Sequence, residues 1–139
     1  MVTLNRTQAI SSTVSAEHQD LQQLILQLMD ANTSCSGKND IVKLMGQFIR
    51  KTHLHFIYEE TLFEKHAYPD ADPHKDDHRR FIQQLDGIYL NYLASKTNCP
   101  IQIAEQLSDL IEAHCHRFDD DFSHFIAEKV NTTEYAIEL

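Results

Sequence analysis

The chain has no tryptophan and only three glycines, three prolines and three cysteines among its 139 residues. Each shortage excludes something. With so few helix breakers, little in the backbone interrupts long helices. The cysteines Cys35, Cys99 and Cys115 are odd in number and have no CxxC spacing. That argues against a disulfide framework, a zinc finger or an iron–sulfur site, and leaves free thiols. Basic residues are scarce too: 12 Lys and Arg face 21 Asp and Glu, a formal charge of −9. No basic run and no basic–aromatic interleaving appears, so nucleic acid is not an expected partner. No apolar run reaches the length of a membrane span, and residues 1–10, with Asn5, Arg6, Thr7 and Gln8, contain no apolar signal segment. The expectation is a cytoplasmic protein with no membrane partner.

What is present supports one helical domain. Apolar residues make up 42% of the chain, enough for a core without disulfides, and 1–139 reads as a single domain. Apolar residues recur at helical spacing in four segments, at about 11–31, 40–66, 73–95 and 100–128, and a polar tail follows at 131–139. Val14, His18, Leu21, Leu24, Ile25 and Leu28 share one face of the first segment. Ile41, Leu44, Phe48, Thr52, His55, Glu59, Leu62 and Phe63 do so in the second, with Asn39 or Asp40 as its expected cap. In the third, Asp72 is the expected N-cap and Pro73 the first helical residue, and the inward face reads His74, His78, Phe81, Leu85, Ile88 and Tyr92. Pro100 opens the fourth, whose apolar face includes Ile103, Leu107, Leu110, Ile111, His114, Phe118, Phe122, Phe125 and Ile126. Short connections between such segments predict an all-α, left-turning, antiparallel up-down-up-down four-helix bundle.

The nine histidines are the strongest signal in the sequence. His55 and Glu59 lie four residues apart, as do His74 and His78. In a helix such positions project from one face, so each pair can present two donor atoms to one ion. A single histidine on an apolar face is more often a hydrogen-bonded core residue than a ligand. A buried carboxylate such as Glu59, however, costs several kcal/mol without a cation. With His18, His55, Glu59, His74, His78, His114 and an aspartate all on inward faces, a metal centre fed by four helices explains every buried polar group at once.

The motifs Glu17–His18 with Leu21, His55–Phe56–Ile57–Tyr58–Glu59–Glu60 with Leu62, Tyr68–Pro69, and His74–Lys75–Asp76–Asp77–His78 with Phe81 resemble those of the hemerythrins, in particular the single-domain bacterial hemerythrins. The resemblance spans about residues 14–127. It implies two non-haem iron ions joined by an oxo or hydroxo bridge, with dioxygen as the ligand. His74, His78 and the helix-D histidine would hold a coordinatively full iron, and His18 and His55 an iron with one open position. Glu59 and the helix-D aspartate would bridge both. In that last helix the family spacing is met twice, by His114/Asp119 and by His116/Asp121. Helical phase favours His114, since His116 lies about 200° away. Leu110 and Ile111 are the expected wall of the oxygen pocket, where family members often place a tryptophan this chain lacks. The remaining histidines, His53, His66, His116 and His124, are expected to be solvated or partly exposed, and Cys115 to be a packed thiol.

The function that the resemblance implies is reversible dioxygen binding for transport, storage or sensing, by a protein that is not an enzyme and is expected to be a monomer. A stand-alone domain favours delivery or storage. The alternatives are a di-iron redox enzyme acting on peroxide or nitric oxide, and a metal-handling protein.

Overall fold

The computed structural model describes residues 6–33, 37–94 and 99–128. Four long helices form the protein: α1 (Arg6–Thr33), α2 (Lys38–Lys65), α3 (Ala71–Ala94) and α4, which opens as Pro100–His114. Among the described residues there is no strand. Connections are short, so successive helices run antiparallel, and they pack in cyclic order with α1 against both α2 and α4.

Several boundaries differ from the sequence expectation. The first helix begins at Arg6, not near Ser11. Gly37, in extended conformation, is the N-cap of α2, and Asn39 and Asp40 fall inside its first turn. The third helix starts at Ala71, so Asp72 is helical and is no cap. Ala71 N donates to Tyr68 O at 3.3 Å, and His74 N to Asp70 O at 3.3 Å, so backbone carbonyls ahead of Asp72 receive the first amides of the helix. Between α2 and α3, Ala67 adopts φ 51°. Tyr68 N donates back to Phe63 O at 2.9 Å there, closing the helix end around a left-handed residue that glycine usually supplies. Residues 131–139, expected to be a frayed tail, the Ser34–Ser36 part of the first loop and the Val14 side chain lie outside what the structure describes.

The fourth helix holds the main surprise. After His114 the backbone widens into a five-residue π-helical segment, Cys115–Asp119, before regular helix resumes at 120–128. Two apolar layers flank the middle of the bundle. One is the long core that includes Leu28, Phe48, Leu85 and Leu107, and the other joins Leu62, Phe63, Tyr68, Phe122 and Ile126. Between them lies a layer that is polar and buried.

Candidate metal centre

That layer contains His55, Glu59, His74, Asp77, His78, His114 and Asp119, all buried. The four-residue spacings in α2 and α3 put His55 beneath Glu59 and His74 beneath His78, as helical geometry requires. Asp119 needs a different device. Five residues along a regular α-helix turn about 140° away. The π segment, with its wider turn, removes that offset and brings Asp119 onto the face of His114, so that Asp119 Oδ1 lies 3.1 Å from His114 Nε2. His116, by contrast, has a side chain 83% exposed, and Asp121 is exposed as well.

The imidazoles fall into two groups. His74, His78 and His114 form a trio with ring centres 4.6–5.0 Å apart. His18 and His55 form a pair at 4.8 Å. Both carboxylates stand between the groups. Glu59 Oε1 is 3.2 Å from His55 Nε2 and 3.3 Å from His78 Nε2. Asp119 turns Oδ1 to His74 and His114, each at 3.1 Å, and Oδ2 to His18 Nε2 at 3.3 Å. Each carboxylate thus faces one histidine of the pair and at least one of the trio.

Many of these close approaches are not hydrogen bonds. Both oxygens of Glu59, together with Nε2 of His55 and of His78, are buried without a hydrogen-bond partner. Leaving that many polar atoms unpaired costs roughly 1–3 kcal/mol for each neutral group and more for a charged one. Cations at the centre would satisfy them together. Imidazole donors suit zinc, copper, iron and nickel alike, so the nitrogen and oxygen donors gathered from four helices fit a transition-metal ion. The donor atoms of Glu59, His74, His78 and His114 lie within 4.8 Å of one another, as do those of His55, Glu59 and Asp119.

Electrostatics follow the same layout when protons take the place of cations. Burial alone would lower His55, but Glu59 and Glu17 outweigh it and hold the imidazole up at about 9. His114 is also raised: burial pulls it down, and Asp119, Asp77 and Glu59 more than reverse this. The carboxylates move the other way. Burial would raise them, whereas His55 and His78 hold Glu59 below its usual range, and His114, His18 and His74 do the same for Asp119.

Three more carboxylates form an outer ring; they belong to the sequence motifs, but their spacing alone assigns them no partner. Glu17 on α1 accepts from His55 Nδ1 on α2. Glu60 on α2 lies 3.1 Å from His78 Nδ1 on α3, and Asp77 on α3 lies 2.6 Å from His114 Nδ1 on α4. Each acid sits beside an inner residue in sequence, yet it serves the histidine of the next helix. Such pairs fix ring orientation and tautomer, and leave Nε2 free to face the centre. Aromatic rings complete the clamp, with Phe56 stacked on His78 at 3.8 Å and Phe63 4.7 Å from His74. An Asp77→Ala variant is expected to lower metal affinity about 10–100-fold in a chelator competition, since losing an outer partner of this kind typically costs that much. Unchanged affinity would show that the pair does not tune the site.

Beside His18 and His55 lies a cavity of about 10 Å³, lined also by Thr52, Phe56, Phe81, Ile111, His114, Cys115 and Asp119. Ile111 also lines this cavity. Leu110, one residue earlier, is turned about 100° round the helix and lines a separate groove with Asp77, Arg80 and Arg117. Cys115 is half-buried, with its thiol 3.5 Å from Asp119 Oδ2, and burial pushes it up to about 12. Cys99 is a free thiol as well. Of the unassigned histidines, His53, His116 and His124 are exposed and His66 is half-buried.

A family model described as the Hemerythrin HHE cation binding domain matches residues 9–125. No curated protein and no solved structure matches the chain. The matched span reaches into all four helices and takes in every residue of the polar layer.

Proposed function

The chain belongs to the hemerythrin HHE cation-binding domain family, and on that premise we propose that it binds dioxygen reversibly at a non-haem di-iron centre. His74, His78 and His114 would hold one iron, His18 and His55 the other, with Glu59 and Asp119 shared. When bound, two ferrous ions supply the two electrons that make reversible dioxygen binding possible. The observation that carries this reading is the division of five imidazoles into a trio and a pair around two shared carboxylates. Such a division gives the pair's side fewer protein donors, and the small cavity lies on that side.

The protein's own residues then do three things. Glu17, Glu60 and Asp77 hold the rings of His55, His78 and His114 at Nδ1 and so leave Nε2 facing the centre. Ile111, Phe56 and Phe81 present apolar surface to the cavity, so that bulk water gains little by entering it. The bundle core keeps the donors fixed, since helices packed on both sides cannot shift by the fraction of an ångström that would loosen them. A cavity of about 10 Å³ is at the lower limit for one water-sized occupant.

The donor set also bears on what is done with the oxygen. Di-iron oxygenase bundles use carboxylate-rich sets whose anionic donors support high-valent iron. Five neutral imidazoles support it less well, which favours binding and release over turnover. Transport, storage and sensing share this chemistry, and we place the protein among them as a monomer in the cytoplasm. Protein loaded with iron and reduced under argon is expected to take up dioxygen and to return it when the gas is removed. Irreversible oxidation on first contact, or sustained consumption of peroxide or nitric oxide that His55→Ala abolishes, would instead place it among redox enzymes.

A further inference from the structure

Thr52 is a polar residue in the core with nothing to bond to. It is fully buried, and its Oγ1 has no hydrogen-bond partner. A threonine inside a helix ordinarily bonds back to a carbonyl in the preceding turn, and this one does not. Leaving a hydroxyl unpaired in the core destabilises the fold, so valine, which has nearly the same shape, would be the better residue on stability grounds alone.

Its position suggests what the hydroxyl is for. Thr52 lies three residues before His55, on the same face of α2, and lines the small cavity beside His18, His55 and Asp119. The other lining residues, apart from those facing the centre, are Leu21, Phe56, Phe81, Ile111 and Cys115. Of these only Cys115 carries a polar hydrogen, and its thiol faces Asp119 Oδ2. Apart from the imidazoles that face the centre, Thr52 therefore holds the one strong donor among the described lining residues that no protein atom uses.

We propose that Thr52 is a positioning and specificity residue for the ligand of this cavity: its O–H donates a hydrogen bond to the outer atom of a small molecule seated beside His18 and His55. The ligand class is diatomic or triatomic, with a terminal atom that accepts a hydrogen bond and gathers negative charge on binding. Dioxygen meets that description after it takes up electron density, and azide meets it outright. A ligand without an accepting outer atom would gain nothing from the hydroxyl. The inference rests on the reading that the cavity adjoins the open side of the metal pair, and it adds a residue which that reading does not require.

The test uses azide on the oxidised, iron-loaded protein, with the metal-free protein as a second readout. Thr52→Val should weaken azide binding about tenfold or more, the scale of a hydrogen bond to a charged acceptor. Thr52→Ser, which keeps the hydroxyl, should restore most of it. In the metal-free protein Thr52→Val should leave the melting temperature unchanged or raise it, because an unpaired buried hydroxyl is removed. Equal azide affinity in wild type and Thr52→Val, or no azide binding by wild type, would overturn the proposal. So would a melting temperature lowered by Thr52→Val without metal, which would mean that the hydroxyl has a structural partner. Azide binding that needs Thr52, in a protein that never releases dioxygen, would retain this inference and remove the oxygen-carrier reading. Reversible oxygen binding with azide affinity indifferent to Thr52 would do the reverse.

Discussion

A Glu59→Ala variant is expected to bind no iron and to be less stable even without metal. Glu59 is fully buried and stands within 3.2–3.9 Å of Nε2 of His55, His78 and His74. Its removal takes a shared donor from both metal positions at once, so loss of one ion only is not the expected result. Without metal the cost has a different origin. Protons replace cations there, His55 is held up at about 9 largely by Glu59 and Glu17, and deleting Glu59 strands imidazolium charge in the core. Breaking a buried ion pair by removing one partner typically costs about 3–5 kcal/mol. Iron content by elemental analysis and a urea titration of the metal-free protein read the two effects separately. Retention of both irons by the variant would show that Glu59 does not join the two halves of the centre.

The second large effect separates two histidines that lie two residues apart. His114→Ala should abolish iron binding, because His114 is buried, has Nε2 3.1 Å from Asp119 Oδ1, and is held by Asp77 at its other nitrogen. Its loss also leaves Asp77 and Asp119 short of a partner, so the metal-free bundle should be weakened too. His116→Ala should change neither property, since an exposed side chain away from such networks usually contributes within about 0.5 kcal/mol. Iron loss in the His116 variant alone would transfer the site to His116 and Asp121, and the π-helical segment would then need another explanation.

Much of the arrangement can be read from the sequence because α-helical spacing carries it. The pairs His55/Glu59 and His74/His78 lie on single faces, and that needs no tertiary information. The apolar stripes set the number of helices and hence the all-α bundle. Asp119 is different: a period of 3.6 places it away from His114, and only resemblance to the hemerythrins suggested it. The physical reason is the π turn, since a local change of helical pitch leaves no mark in an apolar pattern counted at 100° per residue. Leu110 lines a separate groove, and the apolar pattern, which puts Leu110 and Ile111 on one broad face, does not distinguish the two positions. The outer carboxylates could not be assigned for a third reason. Glu17, Glu60 and Asp77 each act across to the neighbouring helix, so their partners depend on how the bundle closes and not on sequence distance. Thr52 appeared in the sequence as one more member of an apolar face, and only its unpaired hydroxyl sets it apart.

The central claim is that one chain holds two metal ions in unequal surroundings. Mössbauer spectroscopy of protein loaded anaerobically with ferrous iron tests it most directly, alongside the iron-to-chain ratio. About two irons per chain, in two ferrous environments of equal population and different coordination, is the result predicted from three histidines on one side and two on the other. A single iron per chain, or one environment for all the iron, would contradict it.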